Sequence, residues 1–279
     1  MKIRYASDIH LEFSGFPLDK KSPAPEIVAN ADEILLVAGD TIPTISLQER
    51  RTDSSSMKSK ARFVNFLEAV KGFKKVYLIG GNHEHYKYGE VTAGKDCLNK
   101  FLKERGHENI VALENDRVPL TDKIDLLACT LWTDMNKNDS DTHKWVGRGM
   151  NDFYQCNYHG APFTTYHASE LHHQSKEWLL EQLKDDKSFV VMTHHCPSLK
   201  SIDPQYKNDV LNFGYASNMD KIIKANPNIS HWVHGHTHFN VDYILGKTRI
   251  LGHMRGYPTM TGRLNPNYRE FKLDRWFDI

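Results

Sequence analysis

Five apolar, β-branched or aromatic runs in this 279-residue chain break off at an aspartate, an asparagine or a histidine: "KIRYASDIH", "EILLVAGD", "KKVYLIGGNHE", "SFVVMTHHCPS" and "ISHWVHGHTH". Short runs of this kind, closed by polar residues and glycine, are strand signals. Two more, "KIDLLACTLW" and "TRILGH", carry the same pattern. Between them, "KARFVNFLEAVKGF", "GKDCLNKFLKERG" and "ASELHHQSKEWLLEQLKD" read as helices, the last with Leu171, Trp178, Leu179 and Leu183 at near-helical spacing. Strands alternating with helices predict a layered α/β fold. In open α/β sheets ligands collect beyond the carboxyl ends of strands, so these segments are expected to converge on one crevice.

The donor types say what the crevice would hold. Asp8 and His10 close the first run, Asp40 the second, Asn82 and His83 the third, His194 and His195 the fourth, and His236 and His238 the fifth. In extended backbone residues two apart point the same way, which pairs Asp8 with His10 and His236 with His238. Gly39, Gly80, Gly81 and Gly235 allow a sharp turn before each donor. Gly235 also ends the strand after His234, which leaves His234 a supporting or structural role. Carboxylate, amide and imidazole donors without thiolate suit Mn, Fe, Zn, Co or Ni rather than calcium or a structural zinc site, with Mn or Fe foremost. Seven donors are too many for one ion that keeps an open position, and they fit two ions sharing Asp40 as a bridge. In "THHCPS" either histidine can be the ligand.

The blocks D-x-H, G-D, G-N-H-E, H and G-H-x-H, in this order from Asp8 to His238, resemble the calcineurin-like metallophosphoesterase superfamily. The resemblance implies a four-layer αββα sandwich of two mixed sheets flanked by helices. It implies one metal held by Asp8, His10, Asp40 and His238 and a second by Asp40, Asn82, His194 and His236, with His194 matching the family's first histidine after the strand. His83, beside the metals, would contact the phosphate together with Asn82 and act as catalytic proton donor. The protein phosphatases of the superfamily follow G-D with a further Asp, Arg and Gly, whereas "GDTIPT" stands here, so that subgroup is discounted. "TLWTD" at 130–134 and "NDF" at 151–153 look like the smaller bacterial and phage-type members. The expected reaction is hydrolysis of phosphate mono- or diesters by in-line attack of a hydroxide shared between the ions. The competing readings are a binding or scaffold protein that keeps this fold and metal site, and an unrelated metal binder using the histidine cluster alone.

Thirty-six basic against thirty-five acidic residues leave a net charge of +1, so no overall field draws in polyanions. The expected partner is a small phosphorylated substrate or nucleotide, with nucleic acid not favoured and no membrane partner. Cys97, Cys129, Cys156 and Cys196 show no metal-binding spacing and read as reduced thiols. With no leader pattern at the start, this suggests a cytoplasmic protein. Without repeats or a Pro- or Gly-rich linker, residues 1–279 read as one domain, with a polar loop at 44–60 and a long insertion at about 136–168. In that insertion His143, Arg148, Asn151, Tyr154 and His159 are candidates for substrate contact. His172 and His173 are expected on a solvated helix face, Trp178 in the core, and His253 in support of the metal shell.

Overall fold

The computed structural model describes residues 1–13, 27–260, 263–265, 268 and 270–279. Two sheets form its centre. The first contains β1 (Lys2–Ala6), β2 (Ile34–Val37), β3 (Lys75–Ile79), β4 (Ile110–Leu113) and, at its edge, β11 (Trp276–Asp278), in the order β11-β1-β2-β3-β4. The second contains β5 (Asp116–Pro119), β6 (Ile124–Cys129), β7 (Ser188–Thr193), β8 (Ile229–His234), β9 (Val241–Leu245) and β10 (Thr248–Gly252), in the order β9-β10-β8-β7-β6-β5. Inner pairs run parallel, and antiparallel strands close one edge of the first sheet and both edges of the second. Parallel strands are covered on both faces, which is why these runs are apolar throughout.

The period-two alternation of each strand feeds two different cores. Ile34 and Leu36 point between the sheets, where they meet Leu126, Val190, Met192 and Val233 of the second sheet. Leu35 and Val37 point outward onto helices α1 (Ser54–Val70) and α2 (Gly94–Glu104), packing with Phe63, Phe66, Leu67, Leu98 and Phe101. On the far side Leu127, Val191 and Trp232 pack on Leu179 and Leu183, at the end of helix α4 (Thr165–Gln182), and on Ile223 of α5 (Asp220–Ala225). The four layers are therefore helix, sheet, sheet, helix, as expected.

Two expectations need correction, and the inserted segment gains a description. The segment 44–60 is not a loop throughout: Thr44–Leu47 form a buried 3-10 turn, and α1 begins at Ser54, capped by Asp53, whose side chain accepts from Ser56 N at 2.9 Å. The serine run disguised a helix start, since serine and aspartate favour that position. Residues 136–168 fold into a cap around a small core of Trp132, Met135, Val146, Met150 and Phe163, and include α3 (Ser140–Gly149). His172 is buried, not solvated, and bonds the Leu131 carbonyl through Nδ1 at 3.1 Å. The inward stripe of α4 is Thr165, Ala168, Ser169, His172, Ser175 and Leu179. Its small polar members concealed the helical period, whereas His173 is 62% exposed as expected.

Candidate metal centre

The ends of β1, β2 and β3 from one sheet, and of β7 and β8 from the other, bring every sequence-predicted donor to one place. His10 Nε2 lies 2.9 Å from His238 Nε2, and His238 Nε2 lies 3.2 Å from Asp8 Oδ1. A few ångströms away, His194 Nε2 lies 3.0 Å from Asn82 Oδ1 and 3.1 Å from His236 Nδ1. Asp40 divides its two oxygens between these groups, Oδ2 at 3.7 Å from His10 Nε2 and Oδ1 at 3.4 Å from His194 Nε2. Asp8, His10, Asp40 and His194 are entirely or almost entirely buried.

The pairs are not presented by extended backbone, as expected from the spacing. Asp8, His10, Asp40, His236 and His238 all have left-handed φ, between 50° and 76°. Such a residue costs about 1 kcal/mol or more, and Asp, Asn and His bear it better than β-branched types. Strain concentrated on five donors is typical of a functional site. The turns are tight enough that a Cβ at Gly81 would collide with Asp40 Oδ1 and His194, and one at Gly235 with Ser7 and Asp8.

Hydrogen positions can be assigned from the surrounding partners. Burial lowers His10 and His194 to about 4, so both rings are neutral near pH 7. His194 Nδ1–H donates to the Ala38 carbonyl at 2.8 Å, and His10 Nδ1–H to Glu12 Oε1 at 3.0 Å. Each Nε2 is then a bare lone pair. Asn82 is fixed too, because its Nδ2 donates to Asp152 Oδ1 at 2.7 Å and to the Tyr86 hydroxyl at 3.2 Å. Its Oδ1 therefore faces His194 Nε2 with no hydrogen between them. Lone pairs confronting lone pairs at about 3 Å require a cation, and the donor set fits divalent transition metals. Burial, then the Asp8 and Glu84 carboxylates, push Asp40 well above the usual carboxylate range. A cation between the groups would reverse that cost. Burial would also raise Asp8, but its hydrogen bond with His238 draws it below the usual range.

Of the two histidines in "THHCPS", His194 turns its free nitrogen to the cluster. His195 Nδ1 instead meets the Thr130 carbonyl at 3.3 Å, and its ring packs on Trp132. His234 is structural, its Nδ1 3.3 Å from Cys196 Sγ. His253 does not support the shell through its ring, which donates to the Lys272 carbonyl at 2.7 Å and stacks on Phe271. Its backbone carbonyl does accept from Ser7 N, next to Asp8.

Supporting residues passed over in the sequence now stand out. Glu12 Oε1 accepts from both His10 Nδ1 and, at 2.8 Å, His83 Nδ1. The Tyr257 hydroxyl meets His83 Nε2 at 2.8 Å. Glu84, buried beneath the turns, accepts four backbone N–H groups: Asp40 at 2.9 Å and Gly81 at 2.6 Å on Oε2, Thr41 at 2.6 Å and Ile42 at 3.1 Å on Oε1. Glu12, two residues past His10, and Glu84 in "GNHE" had a signal, whereas Tyr257 had none. A cleft of about 450 Å³ opens over the donors. Of the five insertion candidates only Asn151 lines it; His143 is buried against Tyr166, the Tyr154 hydroxyl donates to the Arg148 carbonyl, and His159 meets Tyr158 edge to face.

The sequence model of calcineurin-like phosphoesterases matches residues 1–240. The chain belongs to that family. It is thus a metal-dependent phosphoester hydrolase, and its fold is that of the family. It is similar to the uncharacterized protein L509 of Acanthamoeba polyphaga mimivirus, 25% identical across 98% of this chain and 97% of that protein. Its fold is similar to that of phosphopantetheinyl hydrolase from Mycobacterium tuberculosis, with a TM-score of 0.62 at 16% identity, covering 92% of this chain and 90% of that one. Among the described residues no helix is long and apolar enough to cross a membrane.

Proposed function

We propose that this member holds two divalent transition metals, Mn or Fe foremost, and hydrolyses small phosphate mono- or diesters. The observation that carries the reading is the division of Asp40, one oxygen toward the Asp8, His10 and His238 group and the other toward Asn82, His194 and His236. When bound, such a pair neutralises phosphoryl oxygens and lowers the pKa of a coordinated water, leaving in-line attack on phosphorus to follow.

The chain's own residues do the rest. Asn82 is held by Asp152 and Tyr86 through its amide nitrogen, so its amide oxygen stays toward the place the ions would take, at the wall of the cleft. Glu12 fixes the His83 ring by Nδ1, which leaves Nε2 beside Tyr257 at the cleft. From there His83 protonates the leaving oxygen, a role typically worth about 10²–10⁴-fold in rate. The buried walls limit water around the reacting atoms.

Two substitutions separate the roles. Asp40→Ala loses metal and activity on bis(p-nitrophenyl) phosphate together, whereas His83→Ala keeps its metal, read by elemental analysis, and loses turnover, most severely for poor leaving groups. Asp40→Ala protein that still binds two metals and turns over normally would refute the bridge.

A further inference from the structure

The cleft over the donors has an unusual charge balance for an enzyme acting on anions. Besides the donor group its wall carries three carboxylates, Asp152 at the floor and Asp203 and Asp209 at the mouth, and neither lysine nor arginine lines it among the described residues. Lys207, next to the mouth, lines the adjoining shallow hollow instead. Sites that take diphosphates, triphosphates or nucleic acid meet the extra charge with Lys or Arg. Among the described residues, an anionic group beyond the phosphoryl would face the carboxylates Asp203 and Asp209.

The remaining wall is aromatic. Tyr86 stacks on His83 at 4.0 Å between ring centroids, Tyr257 lies 4.4 Å from His238, and Tyr215 4.8 Å from His236. These three tyrosines ring the donors, and Tyr206, 49% exposed, stands between Asp203 and Asp209 at the mouth. Tyrosine faces beside carboxylates favour a cation that is weakly hydrated, as an alkylated ammonium is.

We propose, resting on the phosphoesterase reading above, that the cleft selects esters with a single phosphoryl group whose organic arm carries a positive charge, and discriminates against a second anionic group. Asp203, Asp209 and Tyr206 set this preference. Exposed charge pairs and cation–π contacts are each modest, so together they give about three- to twentyfold between cationic and anionic arms. The preference shrinks as salt rises, because the mouth is open to solvent.

The test uses three p-nitrophenyl phosphodiesters that share a leaving group and differ in the second arm: trimethylammonioethyl, ethyl and carboxymethyl. The expected order of kcat/KM is cationic, neutral, anionic. The ratio of first to last should fall toward one in Asp203→Asn/Asp209→Asn, and in high salt for the unaltered protein. Asparagine keeps the acceptor oxygen each turn uses, on Gln205 N for Asp203 and on Leu211 N for Asp209. In parallel, calorimetry compares phosphorylcholine with carboxymethyl phosphate on the metal-loaded protein. An equal or inverted order in either measurement, or a ratio unmoved by the double substitution, overturns the selectivity. Hydrolysis of none of the three esters would instead sink the phosphoesterase reading, with calorimetry still deciding whether the cleft prefers the cationic arm.

Discussion

Glu84 is the support whose loss can be worked through most fully. Its two oxygens accept four backbone N–H groups, three from Asp40, Thr41 and Ile42 in the turn after β2 and one from Gly81 in the turn after β3. In Glu84→Gln one oxygen becomes an NH₂ group, so one pair of N–H donors faces another donor. Hydrogen bonds to a charged group are worth about 1.5–3 kcal/mol each, so two lost bonds amount to roughly 3–6 kcal/mol. Burial opposes the charge first and raises the Glu84 carboxyl despite its hydrogen bonds to Gly81, Thr41 and Ile42, which places the net loss near the lower end, about 3 kcal/mol. At about 2–4 °C per kcal/mol the melting temperature should fall by about 6 °C or more. Metal affinity should drop as well, by about 10–100-fold, since both donor turns lose their anchor. Thermal melting followed by circular dichroism in chelator, with manganese titration read by calorimetry, measures both. Melting and affinity indistinguishable from the unaltered protein would refute the claim that this carboxylate holds the turns in place.

Two other substitutions probe different features. Glu12→Gln should weaken metal binding and turnover, each by about 10–100-fold, because a single oxygen aligns both His10 and His83; calorimetry and steady-state kinetics would detect this. Burial raises Glu114 to about 7, against hydrogen bonds from Thr130. A carboxyl raised on folding binds its proton more tightly in the native state, so stability should decline as pH climbs from about 4.5 to 7, by about 1–3 kcal/mol. Glu114→Gln should abolish that decline and melt higher at pH 8, which a pair of melting curves at pH 5 and 8 would reveal.

How much could be read from the residues alone follows from what periodicity encodes. The apolar runs of β1, β2, β3, β6, β7, β8 and β10 announce themselves because they are buried on both faces. In the two central sheets the strands missed are all at edges: β4, and β5, β9 and β11, whose polar residues such as Asp116, Arg117 and Asp242 face solvent. The donors were legible because each ends a strand. Their conformation was not, since left-handed φ at Asp8 or His238 leaves no trace in composition. Neither did sequence separation disclose that Tyr257 returns to His83, 174 residues away. His172 misled because polar side chains made an inward stripe look wet.

The donors are shared between the two sheets, and the exposed turn Thr121–Lys123 lies between their coding halves. Asp8, His10, Asp40 and Asn82 precede it, and His194, His236 and His238 follow. Neither fragment of a chain cut there would own a complete coordination set. Reassembly of the halves would then respond to manganese as a fastener, and the same property would make such a split chain an ion-gated reporter of proximity.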